Sequence, residues 1–144
     1  MKKIIIISFI LLALVVSYCN NSPKNGAGNS STQSDGTGTA GIIFKEYEHN
    51  FGKVAEGEKI SYIFTFENNG TASLVISSAT ATCGCTVPKY DTKPIPPGKS
   101  GNIEVVFNTS GRNGIQTKTV TVKSNASTPV VLLKIVSDVV VADR

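Results

Sequence analysis

The chain has 144 residues, enough for one ordinary domain, with a formal net charge of +4 and three cysteines. No run of Lys or Arg is dense enough for a nucleic-acid footprint, and +4 less Lys2 and Lys3 of an N-terminal leader is only +2, so the basic balance reads as a solubility property.

Residues 1–18 open with Lys2-Lys3 and continue as an apolar run over 4–16. A basic head and a short apolar stretch define an export signal. The run falls short of the roughly 20 apolar residues of a membrane-spanning helix. Cys19 ends it and is followed at once by Asn20, Asn21 and Ser22. A cysteine in that position resembles the lipoprotein signal, in which the cysteine is lipidated and becomes the new N-terminus. The bulky Tyr18 departs from the small residue usual before it, and plain signal-peptidase cleavage is the alternative. The expectation is lipidation at Cys19 and a place in a bacterial cell envelope, periplasm or outer membrane, with the membrane reached through the lipid.

Residues 19–41 are dominated by Asn, Ser, Gly and Thr, as in Gly26-Ala27-Gly28-Asn29-Ser30-Ser31. Such a segment buries too little apolar surface to offset ordering entropy and reads as a disordered, flexible tether.

The pattern turns to β from Ile42 onward. Ile60, Tyr62, Phe64 and Phe66 alternate with polar residues, the period of a half-buried strand. Asn68-Asn69-Gly70 is a turn, Leu74-Val75-Ile76 opens the next strand, and Pro94-Ile95-Pro96-Pro97-Gly98 is a rigid turn. Ile103, Val105 and Phe107 alternate again, as do Val120 and Val122 after a turn at Gly111-Arg112-Asn113-Gly114. A β-branched run over 130–141 closes the domain. No amphipathic helix stands out. Short strands spaced by turn residues predict an all-β, immunoglobulin-like antiparallel sandwich of about seven strands over residues 42–144. The expected core is Phe44, Phe51, Tyr62, Phe64, Phe66, Leu74, Ile76, Ile103, Val105, Phe107, Val120, Val122, Leu132 and Leu133. Cys83 and Cys85 are too close in sequence to bridge two sheets, and with no Trp the antibody-type Cys-Trp-Cys hallmark is absent.

Cys83-Gly84-Cys85 is the one unusual constellation. Three readings compete for it: a local disulfide across a bent glycine, a soft-metal thiolate site needing further ligands, and two reduced structural thiols. An oxidising compartment and a Cys19 consumed by lipid leave Cys83 and Cys85 as an even pair, which favours the disulfide. The spacing is not the Cys-x-x-Cys of thioredoxin-like enzymes. His49, the only histidine, reads as an exposed or capping residue. Strand alternation puts Glu46 and Glu48 on one face, which with Glu56 and Glu58 reads as solvated surface. No nucleophile elbow, phosphate loop or His-rich metal motif occurs, so no catalytic residue, metal, cofactor or small-molecule substrate is expected.

The motifs taken together are recognisable. They run Phe51-Gly52-Lys53-Val54, Phe64-x-Phe66-x-Asn68-x-Gly70, Leu74-x-Ile76, Cys83-Gly84-Cys85-Thr86-x-Pro88, Pro97-Gly98, Val106-Phe107-Asn108-Thr109 and Ser124-Asn125. In this order they resemble the DUF1573 family, found in secreted and lipid-anchored proteins of Bacteroidetes-type bacteria and similar to the ASH/MSP-like immunoglobulin-type sandwiches. The resemblance implies the fold and carries no activity. The functional expectation is a non-catalytic, envelope-tethered interaction or structural module with a protein partner. The alternative is a thiol-redox or soft-metal-handling protein using Cys83 and Cys85.

Overall fold

The structure, a computed structural model, describes residues 38–141. The leader, Cys19 and the tether through residue 37 lie outside the described residues, as do residues 142–144.

Among the described residues, eight strands form two four-stranded sheets. They are β1 (Ile43–Phe44), β2 (Glu48–Ala55), β3 (Lys59–Glu67), β4 (Ile76–Ala81), β5 (Thr86–Tyr90), β6 (Ser100–Asn108), β7 (Gly114–Ser124) and β8 (Val130–Val140). The first sheet has the order β1-β3-β6-β5 and the second β2-β8-β7-β4. The chain switches sheets twice between edge strands, from β1 to β2 and from β4 to β5. The all-β sandwich is as the alternation predicts, with two refinements. The two-residue β1 makes an eighth strand, and β2 pairs with β8 in parallel, while every other pair is antiparallel. Alternation reports which face of a strand is buried, not the partner or its direction.

The core lies between the sheets. Phe64, Phe66, Ile103, Val105 and Phe107 face inward from the first sheet, and Val120, Val122, Leu133, Ile135 and Val139 from the second. Of the expected core, Phe51 and Tyr62 are only partly buried, and Leu132 is 58% exposed while Leu133 is fully buried. The β7–β8 register pairs Leu133 with the buried Val120 and Leu132 with Thr121, so period-2 alternation turns Leu132 outward. Ala40, Val54, Ile95, Ala126, Ile135 and Val139 also join the core.

Residues 38–41, assigned by composition to the tether, are packed into the domain. Ala40 is buried and bridges to Ala126. The Gly41 N–H donates to the side-chain oxygen of Asn68 at 3.2 Å. Asn68 is itself fully buried, and each of its polar side-chain atoms is used. Its oxygen also accepts from Gly70 N–H, and its nitrogen donates to the carbonyls of Ala72 and Ile95, both at 2.8 Å. One asparagine thereby joins the N-terminal segment, the β3–β4 turn and the proline-rich loop. Asn125 does similar work nearby, accepting from Val75 N–H at 2.8 Å and donating to the Ser73 carbonyl at 3.0 Å. A buried amide with all its bonds made fixes loops that apolar packing alone would leave loose.

Candidate functional site

Cys83-Gly84-Cys85 forms the corner at which the chain leaves edge strand β4 of one sheet and enters edge strand β5 of the other. Hydrogen bonds hold the corner to both sheets. Thr82 N–H donates to the Thr119 carbonyl of β7 at 3.1 Å, and Asn108 N–H of β6 donates to the Cys85 carbonyl at 2.9 Å. The Thr86 N–H closes the turn onto the Cys83 carbonyl at 3.2 Å. Within this frame the Cys83 and Cys85 sulfurs are bonded to each other, with their Cα atoms 5.3 Å apart.

Below the disulfide lies Thr86, whose side chain points inward and is buried. Its Oγ1 sits 3.8 Å from both sulfurs, and these are its only hydrogen-bond contacts among the described residues. Neither sulfur of a disulfide carries a hydrogen, so the threonine hydroxyl is the donor in each contact, with one hydrogen shared between the two sulfurs.

Above the disulfide the surface is open. A depression of about 360 Å³ is lined by Gly84 and Cys85 together with Lys59, Val87, Lys89 and Val106. Val87 is 52% exposed, although it is a large apolar residue on a strand. Lys89 makes a 3.4 Å ion pair with Glu104 across the outer face, and the exposure of both ends keeps that pair weak. Lys59 has no carboxylate within ion-pair distance among the described residues.

Gly84 stands apart from the other described glycines. Five of those have a left-handed φ, as at Gly57, and four would bring a Cβ to within 3 Å of other atoms, as at Gly70. Gly84 has neither constraint, and a Cβ placed there would meet nothing within 4 Å. The bend through the corner therefore does not call for glycine on backbone grounds, contrary to the expectation from the Cys-Gly-Cys spacing. What the missing side chain does is leave the space beside the corner open.

The other singled-out residues do not converge. His49 stacks on the Tyr62 ring with centroids 3.5 Å apart, and meets Phe51 edge-on. It is an aromatic packing residue between the sheets, not an exposed cap. Glu46 lies in the β1–β2 crossover, not on a strand face with Glu48, and accepts the Tyr62 hydroxyl. Glu48 pairs with Lys134 at 3.0 Å, Glu56 accepts from Gly111 N–H, and Glu58 accepts from Ala55 N–H. Among the described residues no three His, Cys, Asp or Glu side chains gather as a metal site. Sequence reasoning placed Thr86 in the family motif without giving it a role, and did not single out Lys59. Lys59 carries no local signal, since only the β3–β6–β5 pairing brings it to the corner.

Residues 42–139 match a family described as "protein of unknown function (DUF1573)". No curated protein matches the chain. Among solved structures, a protein of unknown function from Porphyromonas gingivalis W83 is similar over 69% of this chain, with TM-score 0.62 and 17% identity. The seventh ASH/PapD-like domain of human CEP192 is similar over 86%, with TM-score 0.58 and 11% identity, and is covered completely. The secreted serine protease VesC from Vibrio cholerae is similar over 72%, with TM-score 0.56 and 17% identity. The chain spans 47% of the Porphyromonas structure and 24% of VesC. At these identities the likeness is one of fold.

Proposed function

The chain belongs to the DUF1573 family, and from that premise we propose that it is a non-catalytic interaction module, tethered in a bacterial envelope through a lipid on Cys19, that captures an extended segment of a partner protein. The observation that carries the reading is the open edge of β3. The strand is nine residues long, but β1 covers it only opposite Phe66 and Glu67, with one further bond from Lys45 N–H to the Thr65 carbonyl. Backbone groups alternate in direction along an antiparallel strand. Thr65 points away from β6, so Ile63 and Ser61 point the same way, and both residues are exposed. The other sheet edges are blunted. β5 carries Pro88, which has no N–H to offer, and β2 and β4 each carry a register shift. A strand added to β3 would continue the line of β1.

The leader, Cys19 and the polar tether supply the rest of the reading, since a domain on a flexible chain can search for a partner near a surface. Ile63→Pro tests the edge. It removes an N–H directed at the open side and none directed at β6, so the sandwich should fold and partner capture should fail. A photoreactive residue at position 63 should cross-link one discrete partner in envelope fractions, and the same residue at position 115, on the second sheet, should not. Unchanged capture by Ile63→Pro would defeat the reading.

A further inference from the structure

We propose that Cys83–Cys85 is a thiol-exchange site, at which a cysteine thiolate of a partner protein attacks the Cys85 sulfur from the groove and is held as a mixed disulfide. The inference deepens the interaction reading by naming a chemistry of contact, and rests on that reading only for the exported setting.

Three observations carry it. Cys85, not Cys83, is the half of the disulfide that lines the groove, and it is only partly buried. Gly84 has no left-handed φ, and a Cβ there would meet no atom within 4 Å beyond its neighbours Cys83 and Cys85, which leaves room for the close approach of another molecule, one of the uses of a glycine. Thr86 is a buried hydroxyl whose only partners among the described residues are the two sulfurs. A disulfide sulfur is a poor acceptor. A thiolate is a charged one, and charge-assisted hydrogen bonds are about twice as strong as neutral ones. Thr86 therefore favours the opened state over the closed one, and an interaction that differs between two states shifts their balance. A pair whose opened form is stabilised is the more readily exchanged. Lys59 and Lys89 on the same groove favour an arriving thiolate over a thiol.

In the step, the partner's thiol first gives its proton to solvent. Its thiolate then forms a sulfur–sulfur bond to Cys85 while the Cys83–Cys85 bond breaks. Cys83 leaves as a thiolate that accepts the Thr86 hydroxyl. The partner sulfur is oxidised and the Cys83 sulfur reduced. Attack by Cys83 on the mixed disulfide reverses the step and frees the partner, so no other oxidant or reductant enters.

The test uses the full chain carrying Cys19→Ser, so that Cys83 and Cys85 are its only cysteines, with reduced glutathione as the probe. Intact mass and peptide mapping should find glutathione on Cys85 in protein that keeps its far-ultraviolet circular dichroism. Thr86→Val should lower the equilibrium fraction opened by roughly ten-fold or more, the loss of one hydrogen bond to a charged group, and Thr86→Ser should restore it. Gly84→Val should slow opening with little change in Tm, because it adds bulk between the two cysteines where a Cβ meets no other part of the fold. If Thr86→Val does not fold, Gly84→Val decides alone. No mixed disulfide, glutathione on Cys83 alone, or an unchanged rate in Gly84→Val would overturn the proposal. Exchange that persists while Ile63→Pro retains partner capture would strike the edge reading and not this one.

Discussion

The side-chain nitrogen of Asn68 donates to the backbone carbonyl of Ile95 at 2.8 Å, joining two loops that are 27 residues apart. The same side chain holds Gly41, Gly70 and Ala72. Its burial makes each of these bonds expensive to lose, because the freed backbone groups have no ready access to water. Asn68→Ala should therefore lower stability by about 3 kcal/mol or more. Asn68→Asp should also destabilise, since it keeps the acceptor and loses both donors. Urea unfolding measures both, and a loss near zero for Asn68→Ala would contradict this account of the loops.

Leu132 and Leu133 are neighbours with opposite fates. Leu133→Ala should cost about 2–5 kcal/mol, as for a buried leucine leaving a cavity. Leu132→Ala should stay within about 0.5 kcal/mol of the starting protein. Equal losses from the two would show the β7–β8 register to be wrong by one residue.

Two glycines of the family motif should respond oppositely to alanine. At Gly70 a Cβ would run into the backbone of Thr39 and Gly41, so Gly70→Ala should cost about 1–3 kcal/mol as an overpacked site and loosen residues 38–41. Gly84→Ala should change Tm little, because its surroundings are empty. Thermal melting and limited proteolysis ahead of Gly41 separate the two outcomes.

The disulfide closes a loop of only three residues. Its contribution to folding should be below the roughly 3 kcal/mol of a 15-residue loop. Cys83→Ser combined with Cys85→Ser should thus leave a folded, cooperatively melting sandwich. Complete unfolding of that double variant would make the disulfide a structural necessity.

Intact mass of the protein isolated from its native envelope reads three expectations at once: loss of residues 1–18, a lipid on Cys19, and a Cys83–Cys85 pair lighter by two hydrogens than free thiols. Two freely alkylatable thiols at Cys83 and Cys85 in unreduced material would remove the basis of the exchange site.

Alternation in the sequence was enough to determine the all-β class, most of the inward residues of β3, β6 and β7, and the turns around Asn68, Pro97 and Gly111. Those are local properties, because a strand must place successive side chains on opposite faces and a turn needs particular residues wherever it occurs. Cys83-Gly84-Cys85 was legible as unusual for the same reason. The tertiary structure decided everything that depends on which strands meet. It paired β2 in parallel with β8, turned Leu132 outward, and drew residues 38–41 onto Asn68. It packed His49 against Tyr62, and set Lys59 beside a corner 25 residues further along the chain. Pairing and direction follow from how two sheets bury their faces together, a property of the whole chain that no window of it contains. The buried Thr86 hydroxyl and the open space at Gly84 belong to that second class. Composition shows a threonine and a glycine, and only the fold shows that, among the described residues, one has only sulfur to bond and the other faces open space beyond its two neighbours.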